Sequence, residues 1–196
     1  MNTRNRNRLI LVALFVLFLI PLVAAILLQP EQLGEDPLIT VNRGDLVTPP
    51  VPMNPAGLAV RSEAGPAALE RRWLLVHPII DGCDARCESV ITDLRQVHIG
   101  TGRYQDKVAV LLLATETLPA SEAERLSAIY ERLVIATDPT GGTRTALLAA
   151  NKGIAPASGT TFVADPEGNL MLHYAPGYAR GDLNKDLKKL LKWSGR

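Results

Sequence analysis

The most strongly patterned part of the chain is its N-terminal end, where Leu9 to Leu28 forms an apolar run of about twenty residues without a charged side chain. At about 1.5 Å per helical residue, such a run reaches roughly 30 Å, the thickness of the hydrocarbon core of a bilayer. It is also longer than the apolar region of a cleavable signal peptide. The pattern predicts one transmembrane helix over residues 9–28, after a short N-terminus of residues 1–8.

The charges on either side of this run predict its orientation. Arg4, Arg6 and Arg8 precede it, whereas the first charged residue after it is Glu31. Short segments rich in Lys and Arg stay on the cytoplasmic side of a membrane. We therefore expect the remainder of the chain to lie on the outer side, which is the periplasm if the membrane is a bacterial inner membrane. A mitochondrial inner-membrane protein would share this topology.

Proline and glycine are frequent from residue 29 to residue 66, which makes long regular elements improbable there. This composition predicts a tether followed by an irregular lead-in. Leu46, Val47 and Val51 allow one short strand, and the prolines around them confine that strand to the edge of a sheet.

From residue 67 to residue 196 the apolar positions follow strand and helix periods in turn. The apolar run 108–114 is typical of a strand covered on both faces. Ser121 and Glu124 have the spacing of a capping box at a helix start. The remaining strands are predicted at 73–76, 133–136, 160–164 and 170–174, and the helices after residue 87, after residue 121, at 143–150 and at 182–193. This order predicts a thioredoxin-like three-layer α/β sandwich with a mixed sheet, as one domain over residues 67–196.

The composition narrows the function. The chain has 21 Lys and Arg against 20 Asp and Glu, so no basic surface for a nucleic acid is expected. No phosphate loop and no zinc-finger spacing occurs. The chain has two cysteines, Cys83 and Cys87, and the compartment implied by the anchor permits disulfides.

These two cysteines lie where the first strand gives way to the first helix. If the helix begins near Cys83, both side chains share one face, and the helix dipole lowers the thiol pKa of Cys83. A thiolate attacks disulfides and binds soft metals, so thiol–disulfide exchange and Cu(I) binding both remain open, beside a purely structural role. Fully helical positions four apart are far for a disulfide, so oxidation would require the first turn to unwind. Asp81 and Asp84 are expected to cap this helix.

The Cys-x-x-x-Cys motif, the strand at 108–115 with the helix after it, and the hairpin sequence Phe162 to Gly168 together resemble the Sco/SenC family over residues 70–193. The resemblance implies a membrane-anchored, thioredoxin-like copper chaperone that helps to assemble cytochrome c oxidase. It implies copper as the metal, Cys83 and Cys87 as its ligands, and an oxidase subunit or another assembly factor as partner. The chain is also similar to less characterised anchored thioredoxin-like proteins of oxidase assembly.

One feature departs from the family pattern. Sco proteins have a third copper ligand, a His shortly before the hairpin, and the comparable place in this chain is near Ala157, where no His occurs. The cis-proline of thioredoxins is also absent, since Gly159 and Thr160 stand there. Of the histidines, His77 is the nearest to the cysteine pair in sequence and is a candidate third ligand.

The other metal-ligand types are expected to serve elsewhere. His98 is predicted to be a solvated residue at a helix end, and His173 to point outward from the second hairpin strand. Met53 and Met171 are predicted mainly to pack, although a thioether also suits Cu(I).

The sequence thus predicts an anchored accessory factor for respiratory oxidase assembly that acts through the cysteine pair by thiol–disulfide exchange or Cu(I) handling. The missing His favours exchange, or weak Cu(I) binding, over a stable Cu(II) site. The alternative is a non-catalytic thioredoxin-like scaffold with structural cysteines. Whether the protein is an enzyme depends on which of these is correct.

Overall fold

The computed structural model of the protein describes residues 3–27, 42–61, 65–79 and 82–194. The chain divides into two units, Met1–Ile39 and Thr40–Arg196. In the first unit, residues 9–27 of the apolar run lie within helix α1, Thr3–Leu27. Among the residues described, no helix is both long and apolar enough to cross a membrane, so the predicted span is not confirmed.

A seven-stranded mixed sheet forms the centre of the second unit. Its strands are β1 (Asp45–Pro52), β2 (Ala59–Val60), β3 (Trp73–Ile79), β4 (Val108–Ala114), β5 (Leu133–Thr137), β6 (Thr161–Ala164) and β7 (Asn169–Tyr174). Their order is β1-β7-β6-β3-β4-β5-β2. Strands β3, β4 and β5 are parallel, and the other pairs are antiparallel. The predicted mixed sheet is therefore confirmed.

Helices cover both faces of this sheet. They are α2 (Ala85–Gly100), α3 (Ala120–Ile129), α4 (Gly142–Ala150) and α5 (Arg180–Trp193). Successive residues of a strand face opposite sides, so each central strand contributes to two cores. One core joins β3 and β4 to α2, α3 and α5, and it contains both cysteines. The other joins the same strands to α4. The thioredoxin-like three-layer prediction holds.

The lead-in contributes to the sheet. Strand β1 pairs with β7 and β2 pairs with β5, so the sheet begins well before the predicted domain start at residue 67. The prolines of β1 are tolerated because this strand lies at one edge, as the sequence predicts.

A buried carboxylate fixes the point where the lead-in enters the domain. Asp186 of α5 accepts hydrogen bonds from the backbone N–H groups of Arg43 (2.7 Å) and Gly44 (3.0 Å) and from the Tyr174 hydroxyl (2.8 Å). Burial and the adjacent Asp186 carboxylate raise the pKa of Tyr174. The start of β1 is thereby joined to α5 and β7.

Candidate functional site at the cysteine pair

Cys83 and Cys87 form a disulfide directly after β3, with their Cα atoms 5.2 Å apart. Helix α2 begins at Ala85, so Cys83 precedes the helix. Asp84 is the N-cap, and its carboxylate accepts the N–H of Cys87 at 2.9 Å. The predicted cap at Asp84 is confirmed, whereas Asp81 lies outside the described residues. The expectation that a helical turn must unwind for oxidation was wrong, because only Cys87 is helical.

The two sulfur-bearing residues are mostly covered by protein. Cys83 is 9 % exposed and Cys87 3 % exposed, and both belong to the core between the sheet and α2. Over the whole residue, Cys83 is therefore slightly more exposed than Cys87.

A cavity of about 240 Å³ lies beside the disulfide, and its lining includes His77, Gly82, Asp84, Cys87 and Ser158. A small molecule that enters this cavity would contact Cys87. Its lining residues come from the C-terminal end of β3, from the start of α2 and from the segment that precedes β6.

His77 is the buried titratable group of this cavity, with 1 % exposure. Its Nδ1 lies 2.8 Å from the carbonyl oxygen of Thr160. Since a carbonyl only accepts, Nδ1 carries the proton of the neutral ring and Nε2 keeps a lone pair. Burial lowers the pKa of His77, against the smaller opposing effects of the Thr160 carbonyl and of Asp84. At neutral pH His77 is a neutral base in the same cavity as Cys87.

Two side chains of α3 hold the backbone of Cys83. Glu122 accepts the Cys83 N–H at 3.0 Å, and Arg125 donates to the Cys83 carbonyl at 3.1 Å. Arg125 also forms an ion pair with Glu88 of α2. These contacts were not anticipated from the sequence, because an acidic residue in the first turn of a helix is too common to indicate a distant partner. The predicted capping box is not formed either, since α3 begins after Pro119 without a side-chain cap.

His98 is not the solvated residue that its place at the end of α2 suggested. It is 3 % exposed, its Nδ1 accepts from the Tyr130 hydroxyl, and its Nε2 donates to the carbonyls of Gln105 (2.9 Å) and Val108 (3.1 Å). The chain folds back over the end of α2 before entering β4 and thereby covers the ring. Burial lowers the pKa of His98, with smaller opposing effects from the two carbonyls.

His173 is half-buried rather than fully outward, because β1 pairs beside it and the Phe162 ring lies 5.3 Å away. Met53 packs in the core on the α4 side, opposite to the cysteines, and Met171 packs beside the α2 core. Ala157, at the place of the absent His, is exposed. Within the described ranges, no group of three or more His, Cys, Asp or Glu residues is arranged to hold a metal ion.

A mixed sheet with a cysteine pair between a central parallel strand and the helix after it defines a thioredoxin-like protein. The family model described as "Transmembrane-like, thioredoxin-like, C-terminal domain" matches residues 73–194, and the chain belongs to this family. No curated protein matches the chain at a significant level.

Solved structures of similar fold include Sco proteins at low sequence identity. Apo Sco1 from Thermus thermophilus has a TM-score of 0.52 and 16 % identity, covering 80 % of this chain and 98 % of that chain. BsSco, described as a member of the Sco family of cytochrome c oxidase assembly proteins, has a TM-score of 0.52 and 12 % identity, covering 76 % and 97 %. Copper-bound ScoI from Arabidopsis thaliana has a TM-score of 0.51 and 10 % identity, covering 64 % and 87 %. These similarities establish the fold.

Proposed function

We propose that this protein is a thiol–disulfide exchange factor in the assembly of a respiratory cytochrome oxidase, acting through Cys83 and Cys87. The observation that carries the proposal is the disulfide between these residues at the start of α2, with Cys83 the more exposed member. The disulfide lies beyond the carboxyl end of the central strand β3, a position where ligands commonly reach an α/β sheet.

The exchange proceeds in two balanced steps. The Cys83 thiolate attacks one sulfur of a client disulfide, forming a mixed disulfide and releasing the other client sulfur as a thiolate. Cys87 then gives its proton to a base and attacks Cys83, which releases the second client thiolate and restores the Cys83–Cys87 disulfide. The client disulfide is reduced, and the protein dithiol is oxidised. We propose His77, which lines the same cavity as Cys87, as the base that accepts this proton.

Cu(I) handling is the second chemistry of the same pair. Reduction releases two thiolates, which suit the low coordination number of Cu(I), and His77 is the nearest candidate for a further nitrogen donor. Copper in this account is a transient cargo. That one structure of similar fold is described as having copper bound supports testing the idea.

We further propose that α1 anchors the protein in a bacterial inner membrane with the second unit in the periplasm, near an oxidase subunit or another assembly factor. The support is the uncharged run 9–28 with arginines before it. Alkaline phosphatase fused after residue 196 should be active in cells. Activity of a cytoplasmic reporter at the same position would reverse this topology.

A structural disulfide in a docking scaffold is the competing function, and the low exposure of both cysteines favours it. An anaerobic experiment on the reduced full chain in detergent separates the candidates. Exchange predicts rapid equilibration with oxidised glutathione, and Cu(I) carriage predicts competition with a chelator of known affinity. The matched control replaces both cysteines, Cys83→Ser with Cys87→Ser. If the native protein behaves like this control in both assays, the scaffold interpretation is correct.

A further inference from the structure

We propose that the outer face of helix α5 is a docking surface for a membrane that contains anionic phospholipids. This face is formed by a row of basic side chains, the lysine stripe, and it ends at Trp193. The stripe consists of Lys185, Lys188, Lys189 and Lys192. The proposal goes beyond the exchange function because it involves neither cysteine, and it holds whether or not α1 spans a membrane.

The way α5 packs on the sheet determines which of its side chains face outward. Leu183, Leu187 and Leu191 are fully buried in the core that contains the cysteines, so the opposite side of the helix faces away from the domain. At about 100° per residue, the lysine stripe falls within an arc of about 100° on that opposite side. All four of its side chains are exposed, and they cover about 10 Å along the helix axis. The helix therefore presents four ammonium groups toward one plane.

Positive charge is concentrated on this face although the chain as a whole is close to neutral. The lysine stripe contains four of the six lysines in the sequence. The two acidic residues of α5 do not cancel it, because Asp186 is buried on the core side and Asp182 forms an ion pair with Arg43 at 3.0 Å. At the start of the helix, Arg180 is paired with Asp93 of α2 at 3.0 Å. The stripe is thus a local basic surface on a domain without overall basic character.

The chemistry of this surface fits lipid head groups better than an acidic protein. Protein interfaces are enriched in Arg and depleted in Lys, since the planar guanidinium pairs with carboxylates in a fixed geometry. The stripe contains only Lys, whose compact and strongly hydrated charge needs no fixed partner and therefore suits a layer of mobile head groups. Each Lys near an anionic bilayer strengthens binding by about fivefold at physiological ionic strength.

Trp193 supplies the second feature of a membrane-binding surface. It follows Lys189 by four residues and so lies on the same side of the helix, and it is 68 % exposed. An indole ring has an apolar body and one polar N–H, which stabilises it at the level of the lipid head groups. The lysine stripe and Trp193 together therefore combine attraction to anionic lipid with an aromatic side chain that can enter the interface.

The test uses Trp193 as the probe, because the other of the two tryptophans, Trp73, is 6 % exposed. The full chain is reconstituted into vesicles of phosphatidylcholine, alone or mixed with phosphatidylglycerol, in which part of the phosphatidylcholine carries bromine near the head group. Bromine quenches a tryptophan that reaches it, and the contribution of Trp193 is the difference between the native chain and Trp193→Phe. We expect Trp193 to be quenched in the anionic vesicles only. The quenching should be lost at about 1 M salt, where the screening length falls to about 3 Å.

Two matched double variants test whether the stripe itself is responsible. Lys188→Gln with Lys192→Gln removes two charges of the stripe and should lower the equilibrium constant for membrane contact by about tenfold or more. Arg144→Gln with Lys152→Gln removes two exposed charges in and just after α4, on the other face of the sheet, and should leave it unchanged. Equal losses in the two variants would mean that net charge alone attracts the chain, which would overturn the proposal.

The remaining outcomes also decide. Equal quenching in neutral and anionic vesicles would show contact without charge recognition and would refute the proposal. Absence of quenching in both would refute it too, and would leave an acidic protein as the candidate occupant of this face. If the chain does not sediment with neutral vesicles, the anchor proposed for α1 fails. The same quenching is then measured with the chain added to preformed anionic vesicles, where a signal that depends on Lys188 and Lys192 still supports the inference.

Discussion

Reducing the Cys83–Cys87 disulfide should weaken the domain only slightly and leave it folded. The bond joins residues four apart in sequence, so it closes a loop of about five residues. The chain-entropy relation gives about 2 kcal/mol for such a loop, near the lower end of the usual range for disulfides. For a unit the size of Thr40–Arg196, this corresponds to a fall in melting temperature of about 4–8 °C.

The local structure should persist because its hydrogen bonds do not involve sulfur. Asp84 still caps α2 through the Cys87 N–H, and Glu122 still accepts the Cys83 N–H. The assay is a thermal melt of the full chain in detergent, followed by near-ultraviolet circular dichroism with and without a phosphine reductant. The double serine variant is the control and should not respond to the reductant.

A protein that exchanges disulfides must remain folded in both redox states, so the melt also tests the function. Loss of the cooperative transition on reduction, or a fall of more than about 15 °C, would refute the small-loop reasoning. Such a result would identify the disulfide as a structural clip and favour the scaffold interpretation.

Four further predictions concern Tyr130, His98, Asp186 and the binding of copper. Tyr130→Phe removes the hydrogen-bond donor to buried His98, so urea unfolding at pH 8 should show a loss of about 1–3 kcal/mol in the free energy of unfolding. An unchanged unfolding midpoint would mean that the hydroxyl does not stabilise the fold. Because burial lowers the pKa of His98 below its ordinary value of 6.5, the unfolded chain takes up the proton first, and stability should decline as the pH falls below about 6.5, less steeply in His98→Gln. Asp186→Ala removes the acceptor of three hydrogen bonds and should lower the free energy of unfolding by about 3 kcal/mol or more in the same assay. The control Asp182→Asn breaks a surface ion pair and should lower it by about 1 kcal/mol or less. Equal losses in the two variants would contradict this ranking. Cu(II) added to the reduced protein should give no stable thiolate-bound signal in electron paramagnetic resonance, and Ala157→His should improve retention, so a tight signal in the unmodified protein would refute the argument from the missing His.

The fold was largely predictable because its strands carry strong local patterns. The run 108–114 is apolar at every position, as expected for a central strand with helices on both faces, and it is β4. The prolines near Val51 predicted an edge strand because proline has no backbone N–H to donate to a neighbouring strand, and β1 does lie at the edge. Where the pattern was weak, as in the lead-in with β2, the sequence predicted irregular structure.

The contacts that shape the site were not predictable, because they join residues far apart in the chain. Cys83 and Glu122 are 39 positions apart, and His98 and Tyr130 are 32 apart. A polar residue at the end of a helix, such as His98, is usually solvated, and only the packing of the following turn covers it. The cysteine pair itself was evident because its chemistry is carried by two neighbouring residues.

The strand register also indicates where a label or a fusion partner can be attached to the protein. In the strand register, Asp45 lies opposite His173, His173 opposite Phe162, and Phe162 opposite Val76. The lead-in therefore enters the sheet at the same end of the strands as the cysteines, which follow the C-terminal end of β3. With strands about 4.8 Å apart, three spacings place that entry roughly 14 Å to one side of β3. Fluorophores or fusion partners are best placed at the opposite end of the strands, before β4, where the Asp106 side chain is 92 % exposed.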